Sequence, residues 1–197
     1  MIPVLILAAG QSRRMRGADK LMQVIDDKSL LQLQIERVTP IGSVYVALPS
    51  QDHDRQTALL GTSAIPLVVP QSAEGMGGTM RGAVPHLPTG PFMMLLTDLI
   101  DIETSDLLSV LHAMLLHPNN KIWRGATADR KPGHPIIFAQ CLRDDFAKLK
   151  GDDGGETLVK PMKSETYLQI FDDDRARRDL DTPEDWVAWR ENGKSGA

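Results

Sequence analysis

Short apolar runs that alternate with segments of helical period are the feature that most limits how this chain can fold. Apolar runs occupy residues 4–9, 43–48, 65–70 and 91–98, and segments at 29–38, 54–61 and 104–117 separate them or follow them. The last of these segments repeats leucine and methionine at helical spacing. Such alternation is typical of βαβ units, in which helices cover a sheet of parallel strands. The sequence therefore predicts a three-layer α/β sandwich with a mainly parallel sheet.

The second half of the chain continues the same pattern. Residues 121–127, 134–138 and 165–171 are predicted to be strands, residues 140–150 a helix and residues 151–156 a loop. A final helix is predicted over 182–191, with Pro183 in its first turn. A chain of 197 residues can bury one substantial core and is too short for two ordinary enzyme domains. We therefore expect one domain over residues 1–191 and a flexible tail over 192–197.

Composition excludes several classes of protein. A formal net charge of −4 argues against a broad nucleic-acid surface, which needs a basic stripe. No apolar run reaches the roughly 18 residues of a membrane-spanning helix, and the N-terminus reads as a core strand without a charged leader, so we expect a cytoplasmic protein. The single Cys141 excludes an intrachain disulfide and a zinc site built from several cysteines.

Four cations follow the first predicted strand within eight residues: Arg13, Arg14, Arg16 and Lys20. In a parallel sheet the turn after the first strand is the usual phosphate site. Gly10 can adopt a positive φ and leaves backbone N–H groups open to a phosphate, and arginine and lysine both bind phosphate oxygens. Neither a Walker loop nor a GxGxxG motif is present. Composition alone leaves a solvated basic loop as an equal alternative.

Two other stretches carry candidate functional residues. Asp98 ends the apolar run at 91–98, so its carboxylate is expected at the carboxyl edge of the sheet, where hard oxygen ligands suit Mg²⁺. The alternative is a turn or helix-capping aspartate. Gly75, Gly77, Gly78 and Thr79 precede another apolar-periodic segment and suit close approach of the backbone to a base or ribose, or else form a plain flexible turn.

Residues 7–21, LAAGQSRRMRGADKL, resemble the signature LA[AG]GxSxRMGxxK of the nucleotidyltransferase family that includes the molybdenum-cofactor cytidylyl- and guanylyltransferases. The matching residues are Leu7, Ala8, Ala9, Gly10, Ser12, Arg14, Met15, Gly17 and Lys20, and Arg16 is one extra residue. Stretches at 74–84, 95–101, 133–135, 149–158 and 179–186 resemble the cytidylyltransferase branch. Ile100 stands where the family usually has proline, and Glu156 replaces an arginine, which bears on the acceptor more than on the nucleotide.

The resemblance implies a Rossmann-like fold of the nucleotide-diphospho-sugar transferase type and transfer of a nucleoside monophosphate, with release of pyrophosphate. It implies that Mg²⁺, or Mn²⁺, is the metal and that CTP is the nucleotide, because relatives with LAAG tend to use CTP and Ala9 supplies the second alanine. The phosphorylated acceptor would be the molybdenum cofactor or a similar molecule. Transient contact with an apoenzyme that receives the cofactor is also implied, and neither nucleic acid nor membrane is an expected partner.

The resemblance also assigns residues to roles. Arg14 and Lys20 would stabilise phosphate charge, and Asp98 and Asp181 would bind the metal. Asp179 stays an alternative to Asp181, which could instead cap the last helix. The nucleotide would contact the following residues: Leu7, Ala8, Ala9, Gly10, Ser12, Gly75, Gly78 and Thr79.

The chemistry of nucleotidyl transfer fits a site of cations without a general base. A phosphate monoester, with a second pKa of about 6, is already mostly a dianion at neutral pH and attacks the α-phosphorus as it is. The five histidines therefore need no catalytic role, and His134 is kept only as a candidate substrate-loop residue. Two other functions remain open from the sequence: transfer to a sugar or polyol phosphate, and a non-catalytic protein that binds and delivers a nucleotide or cofactor.

Overall fold

A seven-stranded sheet forms the centre of the molecule. The structure, a computed structural model, describes residues 1–49 and 53–194. The strands are β1 Val4–Leu7, β2 Val24–Ile25, β3 Lys28–Ser29, β4 Val44–Leu48, β5 Ile65–Val68, β6 Phe92–Leu96, β7 Ile122–Ala126, β8 Pro132–Phe138 and β9 Thr166–Ile170. Strands β2 and β3 pair with each other in a small hairpin, and the other seven lie in the order β5-β4-β1-β6-β8-β7-β9. Within the seven-stranded sheet, β8 runs antiparallel to both of its neighbours, and all the other pairs are parallel.

Helices cover both faces of this sheet. They are α1 Leu30–Val38, α2 His53–Thr57, α3 Met76–Ala83, α4 Thr104–Leu116, α5 Glu156–Val159 and α6 Pro183–Lys194. Helices α1, α4 and α6 pack their buried side chains on one face, and α3 and α5 pack on the other. Alternate residues of β1 point to opposite faces of the sheet. Val4 and Ile6 lie in the core beneath α1, α4 and α6, and Leu5 lies in the core beneath α3 and α5. The predicted three-layer α/β fold with a mainly parallel sheet is confirmed.

The carboxyl ends of β1 and β6 lie side by side, and this determines where ligands can bind. Leu7 of β1 lies beside Leu96 of β6, so the loops that leave these two strands start next to each other. Thr97 Oγ1 donates a hydrogen bond of 2.8 Å to the Leu7 carbonyl and ties the two exits together. The carboxyl edge between β1 and β6 is therefore the crevice in which a parallel sheet holds its ligand.

Three elements differ from the sequence prediction. Residues predicted as an α-helix at 140–150 form a 3-10 helix, Gln140–Lys148, without a side-chain cap at Ala139. Arg143 anchors this segment by donating to four backbone carbonyls of residues 84–90, so tertiary contacts override the helical period. The hairpin β2–β3 was not predicted, and Asp26 and Asp27 turn it with φ of 46° and 65°. Helix α6 continues to Lys194, three residues into the predicted tail, whose residues 195–197 lie outside the described chain.

No helix in the described ranges combines the length and the apolar character that a membrane crossing requires.

Candidate active site at the carboxyl edge of the sheet

The loop that leaves β1 carries the predicted cations and is held in an unusual backbone conformation. Ser12 and Arg16 have φ of 48° and 54°, in the left-handed region, and Gly17 has φ of 99°. Gly10 does not adopt the positive φ expected for it, but a Cβ built there meets no atom within 4 Å. The open space at Gly10 leaves the loop backbone accessible from the cleft.

A lysine joins two aspartates from distant parts of the chain at the bottom of this loop. Lys20 Nζ donates to Asp98 Oδ2 at 2.5 Å and to Asp181 Oδ1 at 2.8 Å. The Lys20 and Asp98 side chains are each 16% exposed, and that of Asp181 is 25% exposed. Arg14 pairs with the other oxygen of Asp181 from the solvent side. Two of the four predicted cations therefore converge on the two predicted metal ligands.

The remaining two cations of the loop have other partners. Arg16 pairs with Glu184 at the start of α6, where both side chains are exposed. Arg13 hydrogen-bonds Gln11 at 3.0 Å and borders the cleft. The cationic character of the cleft thus rests mainly on Arg14 and Lys20, with Arg13 at its edge.

Lys20 and Asp181 favour each other's charged forms. Burial by itself would lower the pKa of Lys20, but the charge of Asp98 and hydrogen bonds to Asp181 and Asp98 raise it above the ordinary 10.5. Burial would raise the pKa of Asp181, but its hydrogen bond to Lys20 and the charges of Lys20 and Arg14 hold it below 3.8. Asp179 behaves differently, because burial and the charges of Asp181 and Asp98 raise its pKa.

Three carboxylates at this point could hold a divalent cation. Asp98, Asp179 and Asp181 each offer an oxygen, and these oxygens all lie within 4.8 Å of one another. Asp98 Oδ1 is buried and has no hydrogen-bond partner within the described chain. A buried carboxylate oxygen without a partner is unfavourable unless a ligand supplies one. The residues present therefore fit Mg²⁺ or Mn²⁺, which prefer carboxylate oxygens.

A buried ion pair supports the loop from beneath, and sequence reasoning missed it. Arg55 of α2 is 3% exposed, and its guanidinium donates to both carboxylate oxygens of Asp19, at 2.7 and 2.9 Å. Arg55 also donates to the Ala8 carbonyl at 2.7 Å. Asp19 accepts from Ser12 Oγ at 3.2 Å and from the Leu21 backbone at 2.9 Å. This network fixes the segment that carries Lys20. Its only signal in the sequence was that Asp19 stands directly before Lys20.

The glycines at the start of α3 are needed mainly for close packing against neighbouring segments of the chain. Helix α3 begins at Met76, so Gly77, Gly78 and Thr79 are helical and buried. A Cβ at Gly78 would lie 2.1 Å from the Gln71 carbonyl oxygen, and one at Gly75 would lie 2.2 Å from an Asp152 carboxylate oxygen. Gly75 also has φ of 112° and ends the preceding turn. The glycines thus let three backbone segments approach each other beside the cleft.

A cleft of about 400 Å³ lies between this segment and the loop after β1. Ten of the twelve residues predicted for the site line it: Leu7, Ala9, Gly10, Ser12, Arg14, Lys20, Gly75, Thr79, Asp98 and Asp181. The structure places the other two, Ala8 and Gly78, behind it, where Ala8 is in the core and Gly78 packs on Gln71. Ser72 and Ala73 also line the cleft, and nothing in the sequence pointed to them.

Comparison with known proteins identifies the family. The family model described as a MobA-like NTP transferase domain matches residues 4–167. A molybdenum cofactor guanylyltransferase of Bradyrhizobium sp. (strain ORS 278) is 30% identical over 150 residues, which cover 74% of this chain and 69% of that protein.

Solved structures share the fold at lower identity. The crystal structure of Rv0371c from Mycobacterium tuberculosis H37Rv has a TM-score of 0.77 at 23% identity and covers 96% of this chain and 98% of that chain. The same protein in complex with manganese gives a TM-score of 0.72 at 22% identity, with the same coverage. A CMP:2-keto-3-deoxy-manno-octonic acid synthetase complexed with CTP gives 0.71 at 13% identity and covers 100% of both chains.

These matches confirm the resemblance seen in residues 7–21 and set aside a purely non-catalytic role. The family model covers most of the chain, and the curated relative is a transferase. The chain therefore belongs to the family of MobA-like NTP transferases and is a nucleotidyltransferase.

Proposed function

We propose that the cleft between β1 and β6 is the active site for transfer of a nucleoside monophosphate from an NTP to a phosphorylated small molecule. The observation that carries this proposal is the group of Lys20, Asp98 and Asp181, joined at 2.5 and 2.8 Å beneath a cationic loop. Nucleotidyl transfer needs fixed cations for the phosphates and carboxylates for a metal, and this group supplies both.

The cations of the loop hold and stabilise the phosphates. Negative charge develops on the α-phosphate and on the leaving pyrophosphate, and groups already fixed in place stabilise it most effectively. Lys20 is fixed by Asp98 and Asp181, and its segment is fixed by Asp19 and Arg55. Arg14, which is 73% exposed, reaches the same place from the cleft mouth and would contact the outer phosphates. Backbone N–H groups near Gly10 and Ser12 would hold the remaining phosphate oxygens.

Asp98 and Asp181 would hold Mg²⁺, with Asp179 beside them. Support comes from the 4.8 Å cluster, from the unpartnered Asp98 Oδ1 and from the manganese complex of Rv0371c. When bound, the ion would neutralise phosphate charge and polarise the phosphorus that is attacked. Lys20 now neutralises both carboxylates, so its ammonium is the group that a metal would compete with. Ser72, Gly75 and Thr79 border the cleft opposite the loop and would orient the nucleotide.

The base is proposed to be cytosine, with guanine as the second candidate. Ala9 lines the cleft, and its methyl group fills space that a glycine would leave for a larger purine. A methyl-sized difference is worth roughly 10- to 200-fold in kcat/KM, so the preference would be incomplete. Guanine is favoured by one observation, the name of the Bradyrhizobium relative, which is a guanylyltransferase.

The acceptor is proposed to be the molybdenum cofactor or a similar phosphate monoester. The support is the same relative, whose name gives the molybdenum cofactor as its substrate. A sugar or polyol phosphate would use the same chemistry. In either case the dianionic phosphate attacks the α-phosphorus without a base, and the bond between the α-phosphorus and the bridging oxygen breaks to release pyrophosphate.

The test is to incubate the protein with Mg²⁺, each of CTP, GTP, ATP and UTP, and a panel of phosphorylated acceptors, and to measure pyrophosphate release. We expect release only with a nucleotide and an acceptor together. Lys20→Ala should lower turnover by about a hundredfold or more while the protein stays folded. Normal turnover in folded Lys20→Ala, or release that ignores the acceptor, would contradict the proposal.

A further inference from the structure

Three basic residues lie around the start of β8, on the other side of β6 from β1. Arg124 of β7 donates from Nε to the Gly133 carbonyl at 2.9 Å. The next residue, His134 of β8, donates its backbone N–H to the Ala176 carbonyl at 2.8 Å. Gly133 packs on the same residue so closely that a Cβ there would lie 2.2 Å from the Ala176 oxygen. Arg177 follows Ala176 directly, so Arg124, His134 and Arg177 form one basic group around the start of β8.

The charges of this group are left unpaired, in contrast to their neighbours. Arg175 and Arg178 belong to the same segment as Arg177 and both form ion pairs, with Asp106 and Asp101 among their partners. Neither Arg124 nor Arg177 forms an ion pair with any residue in the described ranges. Asp101 and Asp106 are thus paired with other cations, and the charges of Arg124 and Arg177 remain for a ligand.

Burial makes this arrangement unfavourable without a ligand. Arg124 is half-buried, and burial together with the charge of Arg177 lowers its pKa to about 10, so it stays charged at neutral pH. Burial and the charge of Arg124 lower the pKa of His134 to about 3, so its ring stays neutral. His134 Nδ1 is buried and has no hydrogen-bond partner in the part of the chain that the structure describes. Two like-charged guanidinium groups are retained near each other where an anion binds both, and the unprotonated Nδ1 of His134 is completed by a hydroxyl donor.

The in-line geometry of nucleotidyl transfer indicates the side from which the acceptor must approach. In nucleotidyl transfer the attacking and leaving oxygens lie roughly in line through the phosphorus. The proposed pyrophosphate site is the loop after β1, so the acceptor must enter from the other side of Asp98. Strand β6, which leads to Asp98, has β1 on one side and β8 on the other. Ile136 pairs with Met94, and the same register continued by two residues brings His134 opposite Leu96, two residues before Asp98.

The loop before Asp181 connects this group to the metal-binding carboxylates. His134 N–H binds the Ala176 carbonyl, and four residues later Leu180 N–H binds the Asp98 carbonyl at 3.2 Å. Arg177 therefore lies on a short segment that is fixed at one end to β8 and at the other to Asp98. A phosphate held by Arg177 and Arg124 is thereby kept next to the proposed reaction centre.

We propose that Arg124 and Arg177, with His134 Nδ1 beside them, form the subsite that binds the phosphorylated end of the acceptor. This inference rests on the proposed function, because it assumes that nucleotide phosphates fill the loop after β1. The class of ligand is a phosphate monoester. The two guanidinium groups donate to its oxygens, and Nδ1 accepts a hydrogen bond from a hydroxyl group of the same ligand. The subsite explains how the enzyme orients a nucleophile that needs no base.

The test is a titration of inorganic phosphate, followed by ³¹P NMR, into protein saturated with Mg²⁺ and an α,β-methylene analogue of CTP or GTP. The analogue fills the nucleotide side, so added phosphate reports the acceptor side. We expect the wild type to bind phosphate, and Arg177→Ala and Arg124→Gln to weaken binding about tenfold or more each, because each removes a charge-assisted hydrogen bond. Arg178→Ala is the matched control, since Arg178 is in the same segment but paired with Asp101, and it should stay within about twofold.

The outcomes separate the two proposals. Arg177 is exposed, so Arg177→Ala is expected to fold, and it carries the test if Arg124→Gln does not. Suppose that the analogue binds. If Arg177→Ala then leaves the affinity for phosphate unchanged, or if the wild type binds no phosphate, the subsite proposal is wrong and the proposed function stands. Failure of the analogue to bind overturns both. With a working acceptor, Arg177→Ala should raise KM for the acceptor about tenfold and leave KM for the nucleotide unchanged.

Discussion

Replacing Lys20 by methionine should separate metal binding from catalysis. In the structure the ammonium neutralises Asp98 and Asp181 at 2.5 and 2.8 Å. Breaking a fully buried ion pair costs about 3–5 kcal/mol, and these side chains are 16% to 25% exposed, so we expect a loss of about 2–3 kcal/mol in a buffer with a chelator. For a chain of this size that loss lowers Tm by roughly 4–12 °C.

The pH dependence of that loss follows from the two pKa shifts. The pKa of Lys20 is raised above 10.5, so its contribution to stability is fully present below that value and is lost as the pH rises through the native pKa. The pKa of Asp181 is lowered below 3.8, so its contribution is present above that value and is lost as the pH falls through the native pKa. The difference in stability between wild type and Lys20→Met should therefore be largest between these two values and should shrink in acid.

Metal should stabilise the variant more than the wild type. Millimolar Mg²⁺ should raise the Tm of Lys20→Met more than that of the wild type, because no ammonium competes for Asp98 and Asp181. Turnover of the variant should nevertheless fall by about a hundredfold or more, because the phosphates lose a fixed cation.

The assay is thermal unfolding from pH 2 to 11, with a chelator and with Mg²⁺, beside pyrophosphate release at neutral pH. Lys28→Met is the control, because Lys28 forms an exposed pair with Glu36 and should cost at most about 1 kcal/mol. The reasoning is refuted if Lys20→Met unfolds at the wild-type temperature in chelator, or if Mg²⁺ stabilises the two proteins equally.

Three further predictions concern the other parts of the site. Asp98→Asn keeps the shape of the side chain and loses its charge, so activity should fall at least about a hundredfold and the stabilisation by Mg²⁺ should disappear; an unchanged response to Mg²⁺ would exclude Asp98 as a ligand. Ala9→Gly should shift kcat/KM toward GTP relative to CTP by roughly 10-fold or more, and a wild type that already prefers GTP or ATP would contradict the cytidylyl proposal. In a double-mutant cycle by urea unfolding, Arg55→Met and Asp19→Asn should show a coupling energy of about 1–3 kcal/mol, because both carboxylate oxygens accept from the guanidinium, and purely additive effects would show that the pair does not support the loop.

The sequence was sufficient for the fold class, because the periods of its apolar residues are local. The run 4–9 fills two cores with alternate residues, and Leu107, Val110 and Ala113 repeat at helical spacing along the buried side of α4, so each element could be recognised by itself. The direction of β8 could not be predicted, since the pattern of a strand is the same in either direction and pairing depends on how the chain returns. The 3-10 helix at 140–148 depends on Arg143 reaching carbonyls of residues 84–90, which no local period records.

For the site, the sequence determined which residues have the right chemistry, and the tertiary structure decided how they meet. Residues 7–21 carry the signature of the family in one continuous stretch, and Asp98 follows a strand, so both could be found from the sequence. The contact between Lys20 and Asp181 spans 161 residues, and the pair of Asp19 and Arg55 spans 36. Such contacts depend on the order of strands and on the return of the chain after β9, and long-range geometry of this kind has no local signal in the sequence. The same holds for Arg124 and Arg177, because only the fold shows that neither forms an ion pair with any residue that the structure describes.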